Sequence, residues 1–482
     1  MDSPHEKSFA QRIQEKLAAS RFFTFSMLLH VILVIMGGSV VLFKQYTEPP
    51  DFVSSEGGLL STDTSVQPPP EEPPDMSQQF TPEAPSVVAP TINAITTTAT
   101  NPTNFQMASV PVMKPVGEIK TNLTEMPRNV GNAAGKGLPG TMGGRKGGTE
   151  RMAAIKKMGG KEKSEKAVMA GLRWLKKTQN ADGSWAPEHK PAMTGLALLC
   201  FLGHGELPES PEFGPTVKKA LDWVLEKGTA AEGRMHLGKE FNQPGVYEHG
   251  ILAYAIGEYY TMTKDERFAE LVKMAMTHIV QGQAPDGGWQ YGYEKGPDSD
   301  TSVTGWQIQA LKAAHLTGLA IPGVDEALDK AMLNLKRVQS DNGNFGYRKK
   351  GDRGDNPSLV GVGVLCTYFW KQDKDRVVRD GIEFLLKKAE SDHPVSYKGE
   401  KADLYAWYYN TQACLMYGGS AWTKWNRMFQ DEIADNQGVD GSWPPTGGKG
   451  HGENEGGKAA TYRTTLCILM LEVFYRYMPT TK

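Results

Sequence analysis

"QAPDGGW" occupies Gln283–Trp289. Three other stretches vary it: "QNADGSW" at 179–185, "QSDNGNF" at 339–345 and "NQGVDGSW" at 436–443. Each carries a glutamine, turns through Asp-Gly or Asn-Gly, and closes on an aromatic residue. Such dipeptides favour tight turns because glycine accepts positive φ. A helical run such as "AVMAGLRWLKKTQ" precedes each turn and another follows it. The aromatic ring is expected to pack over the end of the preceding helix.

The helix after each turn carries its own register mark. Gly195, Gly250, Gly305 and Gly361 line up, and Thr411 and Thr464 take the same place, at steps of 55, 55, 56, 50 and 53 residues. A fixed period of that size means one supersecondary unit repeated. Six units of two helices make twelve helices. A small residue at one level in six successive helices lets them approach closely around a common axis.

The glutamine–turn–tryptophan motif with paired helices resembles the prenyltransferase/squalene-cyclase repeat superfamily. "DTSVTGWQIQALKAA" (300–314) and "WYYNTQACLMYGGSAWTKWN" (407–426) resemble its bacterial squalene-cyclase-like branch. The resemblance implies an all-α fold over residues 163–480, a single α6/α6 toroid of six helical hairpins around a central cavity. Fold alone does not settle function.

The resemblance also directs attention to "DSDTS" at 298–302. Squalene–hopene-type cyclases carry Asp-x-Asp-Asp-Thr, whose middle aspartate protonates a carbon–carbon double bond. The matching residues are Asp298, Ser299, Asp300, Thr301 and Ser302, so the middle acid is Asp300 and the third carboxylate has become Thr301. Losing that carboxylate lowers the local negative charge that raises an acid's pKa. A full cyclase also encloses its substrate between two toroids, and this chain has one. The same letters form an N-cap for "SVTGWQIQALKAA". Asp300 and Asp298 are thus candidate catalytic residues, with helix capping as the competing role.

Related prenyltransferases hold zinc with Asp, Cys and His. The four cysteines here, Cys200, Cys366, Cys414 and Cys467, lie inside the second helices of their units and form no CxxC pair. They read as small buried residues, and no metal or other cofactor is expected. Candidate ligand contacts come from the residues flanking the register marks: Tyr247, His249, Thr304, Trp306, Asn410 and Arg463. They are expected at one mouth of the cavity, facing an apolar, isoprenoid or glycan ligand or a protein partner.

The N-terminal third is different. Fifteen of the thirty Pro lie between Pro49 and Pro139, and all ten Trp lie between Trp174 and Trp443. Residues 44–162 lack sustained periodicity, and "QPPPEEPPD" favours extended polyproline II, so this segment is expected to be a disordered linker. Residues 22–43 carry no charge and are long enough for a transmembrane helix. Lys7, Arg12, Lys16 and Arg21 precede them, which puts the 1–21 tail in the cytoplasm and the toroid outside it, on a single-pass protein of the inner (cell) membrane. Ser26 and His30 lie four apart on one face of that helix. With the basic tail and proline-rich stalk they resemble the anchor of TonB-type energy transducers. That likeness implies coupling to proton-motor subunits of the ExbB/ExbD kind. The net charge of -2 gives no basic surface for a nucleic acid.

Overall fold

The computed structural model describes residues 142–476, apart from 143, 146, 236–244, 372–373, 449–453 and 455. The expected membrane helix, with Ser26 and His30, and most of the expected linker lie outside these residues. Among the described residues no helix is long and apolar enough to cross a membrane.

After a short helix α1 (Gly148–Lys157) come six hairpins. Their first helices are α2 (Glu162–Thr178), α4 (Gly214–Ala230), α6 (Ala269–Gly282), α8 (Val324–Val338), α10 (Arg376–Glu390) and α12 (Gly419–Asp435). Their second helices are α3 (Lys190–His204), α5 (Val246–Thr263), α7 (Thr301–Thr317), α9 (Val360–Lys371), α11 (Leu404–Tyr417) and α13 (Gly456–Leu471). A last turn, α14 (Val473–Arg476), follows. The first helices bury one stripe: in α2, Val168, Leu172 and Leu175 are buried while Lys176 and Lys177 are exposed. The second helices are buried on every side, as α5 is from Val246 to Met262. A helix buried all round lies inside its domain. The second helices therefore form an inner ring, each packed on the next, and α13 packs back on α3. The first helices surround them. This is an all-α toroid of six hairpins.

The register marks sit between neighbouring inner helices. A Cβ on Gly195 would stand 3.1 Å from the Leu252 Cα, and one on Gly361 would stand 2.6 Å from the Asn410 nitrogen. The sixth mark is displaced by one residue. Thr464 Oγ1 accepts from the Trp443 N–H at 3.3 Å, as Thr194 accepts from Trp185 and Thr304 from Trp289. Thr465 therefore holds the place of Gly195 and Gly305.

Four glutamines join one outer helix to the next. Gln179 Nε2 donates to Gly183 O in its own turn (2.9 Å) and to Thr216 O of α4 (3.0 Å). Gln283 reaches Ala327 of α8 (2.7 Å), Gln339 reaches Val377 of α10 (2.8 Å), and Gln437 reaches Ala167 of α2 (2.8 Å). The last bond closes the ring. The turn glycines must be glycine: Gly183, Gly287, Gly343 and Gly441 have φ of 99, 91, 91 and 92 degrees. A Cβ there would stand 2.2–2.4 Å from a carbonyl of the next outer helix. The motif indoles secure the other side. Trp185, Trp289 and Trp443 donate Nε1–H to Leu175, Ile279 and Ile433 near the ends of their outer helices, at 2.7–2.8 Å.

The packed part reaches back to Met142, well before the expected start at 163. Arg145 is wholly buried at the C-terminal end of the inner ring. It donates to Glu258 (2.8 Å), to Leu202 O (3.3 Å) and to Arg476 O (2.9 Å). Arg151 donates to His204 O (2.7 Å) and pairs with Glu165 (3.3 Å). Helix C-termini favour cations, which explains arginines here. His204 bridges Glu206 (2.7 Å) and Glu165 (3.1 Å). Burial pushes the Glu165 carboxyl up, but the hydrogen bond and charge of His204 outweigh it and hold it below the ordinary range.

Removing one partner of a buried ion pair typically costs about 3–5 kcal/mol. A chain beginning at residue 160 is therefore expected to lose at least that much unfolding free energy, by urea titration, against one beginning at 141. Equal midpoints for the two would show that residues 142–159 are a passenger.

Candidate functional site

The opposite end of the ring, at the N-termini of the inner helices, gathers aromatic side chains. Tyr247 opens α5, Trp306 lies in the second turn of α7, and Tyr405, Tyr408 and Tyr409 line the start of α11. Trp306 stacks on Tyr408 with centroids 5.6 Å apart and meets Tyr409 edge-on at 5.6 Å. Tyr405 and Tyr409 lie 5.0 Å apart. Offset and edge-on pairs of this kind stabilise by about 0.5–1.5 kcal/mol beyond area burial. Helices α5 and α11 stand opposite each other in the ring order, and burial first, then the neighbouring Tyr247 of α5, push the Tyr405 hydroxyl up. The Tyr409 hydroxyl accepts from Gln309 of α7 at 2.9 Å. Aromatic side chains thus meet across the axis beneath the mouth.

Two half-buried tyrosines stand above this layer. The Tyr291 ring lies parallel to Tyr247, with an interplanar angle of 16° and centroids 6.3 Å apart. Its hydroxyl is 3.0 Å from that of Tyr347. Arg348 follows with its guanidinium 5.4 Å from the Tyr347 ring centroid. Each tyrosine comes two residues after a motif aromatic, in "WQY" (289–291) and "FGY" (345–347). That spacing was the available signal for them, and a search confined to the helices passes over it.

Asp300 lies below Tyr347 and is fully buried. It is the N-cap of α7: its Oδ1 accepts from Ser302 N (2.8 Å), Val303 N (2.9 Å) and Ser302 Oγ (2.5 Å). Burial pushes its carboxyl up, against hydrogen bonds from Ser302, Tyr347 and the backbone that hold it down. The surrounding letters are tied elsewhere. Ser299 donates to Asp286 through N (2.9 Å) and Oγ (2.5 Å), and Thr301 Oγ1 donates to Gly346 O (2.8 Å). Asp298 is exposed, and its backbone carbonyl accepts from Gln290.

The structure divides the expected ligand contacts. Tyr247 and Trp306 belong to the aromatic layer. His249, Thr304, Asn410 and Arg463 turn outward, toward the outer helices and the motif turns. His249 Nε2 is 3.0 Å from Ala275 O of α6, and its ring meets Tyr293 at 5.8 Å. Thr304 Oγ1 takes the Trp289 N–H at 3.0 Å, and Arg463 Nε donates to Trp443 O at 3.0 Å. Asn410 lies in a pocket between α10, α11 and α12. All four cysteines are buried thiols outside any disulfide; the Cys200 thiol contacts Thr465 O of α13 at 3.4 Å. Among the described residues no cluster of His, Cys, Asp and Glu is arranged to hold a metal ion.

No family model matches the sequence, and no curated protein matches it. Among solved structures, the chain is similar to the GH76A α-1,6-mannanase from Salegentibacter sp. HEL1_6, at 12% identity with a TM-score of 0.47, over 65% of this chain and 98% of that one. It is also similar to the type II terpene cyclase MstE from Scytonema, at 15% identity with a TM-score of 0.44, over 65% of this chain and 98% of that one.

Burial sets the direction of the Asp300 titration, over the opposing capping hydrogen bonds. A carboxyl whose folded pKa lies above its unfolded value contributes stability at low pH and loses it as pH rises through the folded value. Asp300→Asn keeps a good cap without that loss. Its stability relative to the parent is expected to rise between about pH 4 and pH 7. Asp300→Ala is expected to lose about 0.5–2 kcal/mol. Thermal melts across that range check both, and a steep loss in Asp300→Asn at pH 7 would contradict the assignment.

Proposed function

We propose that this chain is a membrane-anchored binding protein. Its toroid, held outside the cytoplasm, takes an apolar, isoprenoid or glycan ligand at the aromatic mouth. The observation that carries this reading is the Tyr291–Tyr347 pair, half-buried over a layer of stacked rings. An aromatic face with hydroxyls at its edge offers both an apolar wall and hydrogen-bonding tips. The charge bias around residues 22–43 supports the topology, and Ser26 and His30 support coupling of the anchor to a proton-driven motor.

A second reading is a terpene cyclase that uses Asp300 as its proton donor. Full burial favours a neutral carboxyl there, as an acid needs. Against it stand the backbone N–H groups that Asp300 caps and the exposure of Asp298. The binding reading accounts for more of the site.

The topology is tested with a reporter fused after residue 60, which is expected to be active only outside the cytoplasm. Activity inside the cytoplasm would overturn the anchor.

The mouth is tested with squalene and with maltotriose as probes. Binding of one of them is expected to weaken at least about tenfold in Tyr291→Ala/Tyr347→Ala, with no cyclic product from squalene. A cyclic product made by the parent and absent from Asp300→Asn would establish the cyclase instead. Equal binding by the parent and the double variant would remove the mouth from the function.

A further inference from the structure

The two tyrosines at the rim of the mouth stand on loops, yet both loops are fastened to the ring. The Tyr291 carbonyl accepts from Val246 N (3.2 Å) and the Tyr347 carbonyl from Thr301 N (2.8 Å). Each tyrosine is thus tied through its backbone to the first residue of an inner helix. Beyond Tyr347 the chain turns back on itself. The Asp352 carboxylate accepts from the backbone N–H groups of Tyr347, Arg348 and Lys349, at 2.6, 2.8 and 3.0 Å. Asn344 Nδ2 closes the base of this loop on Gly354 O (2.7 Å).

The rings beneath close the axis. Trp306, Tyr408 and Tyr409 are at most 1% exposed and Tyr247 is 4% exposed. A ligand at this end therefore rests on Tyr291 and Tyr347 instead of descending between the inner helices. A long isoprenoid chain would leave much of its apolar surface in water there and forgo the burial that drives its binding. A sugar ring suits such a platform. It lays a face of C–H groups on an aromatic ring and keeps its hydroxyls at the edge, where the tyrosine hydroxyls stand.

The platform also carries a cation. Arg348 is exposed, with its guanidinium over the Tyr347 ring. A guanidinium on a ring face keeps its N–H donors at its own edge, and its planar fork matches a carboxylate. Among the described residues no carboxylate stands within ion-pair distance of it. Four carboxylates of the neighbouring loops are engaged elsewhere. Asp352 holds the turn, Asp341 pairs with Lys350 (2.6 Å), Asp355 pairs with Lys388 (3.4 Å), and Glu294 accepts from Gly292 N (2.9 Å). Asp300 acts on the guanidinium from further off and is itself fully buried.

We infer that the mouth is selective for an acidic glycan: a sugar ring bearing a carboxylate lies on Tyr291 and Tyr347, and Arg348 holds the carboxylate through paired N–H donors. This deepens the binding function proposed above and rests on it.

The test uses the full chain in detergent and ligand-observed NMR titrations with trigalacturonate and maltotriose. The parent is expected to bind trigalacturonate at least about tenfold more tightly than maltotriose, as one charge-assisted pair would give. Arg348→Gln is expected to remove that preference. Arg348→Lys is expected to restore only part of it, because an ammonium keeps the charge without the fork. Lys177→Gln, on the exposed side of α2, is expected to retain it. Equal affinity of the parent for the two trisaccharides, a preference that survives Arg348→Gln, or an equal fall in Lys177→Gln would overturn the inference and leave the mouth as a binding face. Tighter binding of farnesyl phosphate than of trigalacturonate would overturn it too, and assign Arg348 to a lipid headgroup. If neither trisaccharide nor squalene binds, the mouth has no part in the function and the inference falls with it.

Discussion

The toroid depends on one interaction made four times, a glutamine carboxamide that holds its own turn with one hydrogen bond and the next outer helix with another. A single neutral hydrogen bond contributes only about 0.5–1.5 kcal/mol net. Its value here is geometric. The glutamine fixes the step from one hairpin to the next, and the turn glycine lets the following helix approach to within contact of the backbone. Because Gln437 reaches Ala167, the step that relates sixth and first hairpins is of the same kind as those at Gln179, Gln283 and Gln339. Nothing in a single hairpin requires a ring; the repeated step does.

The closed ring has two unlike ends because its inner helices run parallel to one another. Their C-termini converge on one side, where the partial negative charges of the helix ends meet Arg145, Arg151 and Arg476. Three carboxylates, Glu165, Glu206 and Glu258, balance these arginines with His204 among them. Glu472 is buried in the same cluster, and burial pushes its carboxyl well above the ordinary range. The N-termini converge on the other side, where aromatic rings fill the axis and Asp300 caps α7. The polar end receives the chain's own N-terminal segment, and the aromatic end is left for something else.

Much of this was legible in the sequence. The 55-residue period, the glutamine–turn–aromatic motif and the register glycines led directly to twelve helices in a ring. The rotation of the inner helices was not legible. Successive residues on a helix differ by 100°, so knowing that Gly250 faces a neighbouring inner helix leaves two senses for His249. Only packing decides, and it turned His249, Thr304, Asn410 and Arg463 outward. Arg145 and Arg151 were hidden for a different reason. They lie in and just after a glycine-rich stretch without periodicity, and their partners are 14 to 331 residues away in the chain. The N-cap at Asp300 was readable as an alternative because capping is local chemistry.

Ring closure also governs how the molecule comes apart. In an open stack of helical hairpins the end units have one neighbour each, so fraying starts there and spreads inward. A closed ring has no end units, and every hairpin is held from both sides. Loss of structure must then begin with a crack at one joint, after which the two new ends can fray. The joints are not equal. Four joints carry a glutamine across; the one between α10 and α12 has Ser391 bonded to its own helix, and the one between α4 and α6 shows no such bridge among the described residues, so the crack is expected to open at one of these two. Those two joints are the hinge lines of an otherwise cooperative body.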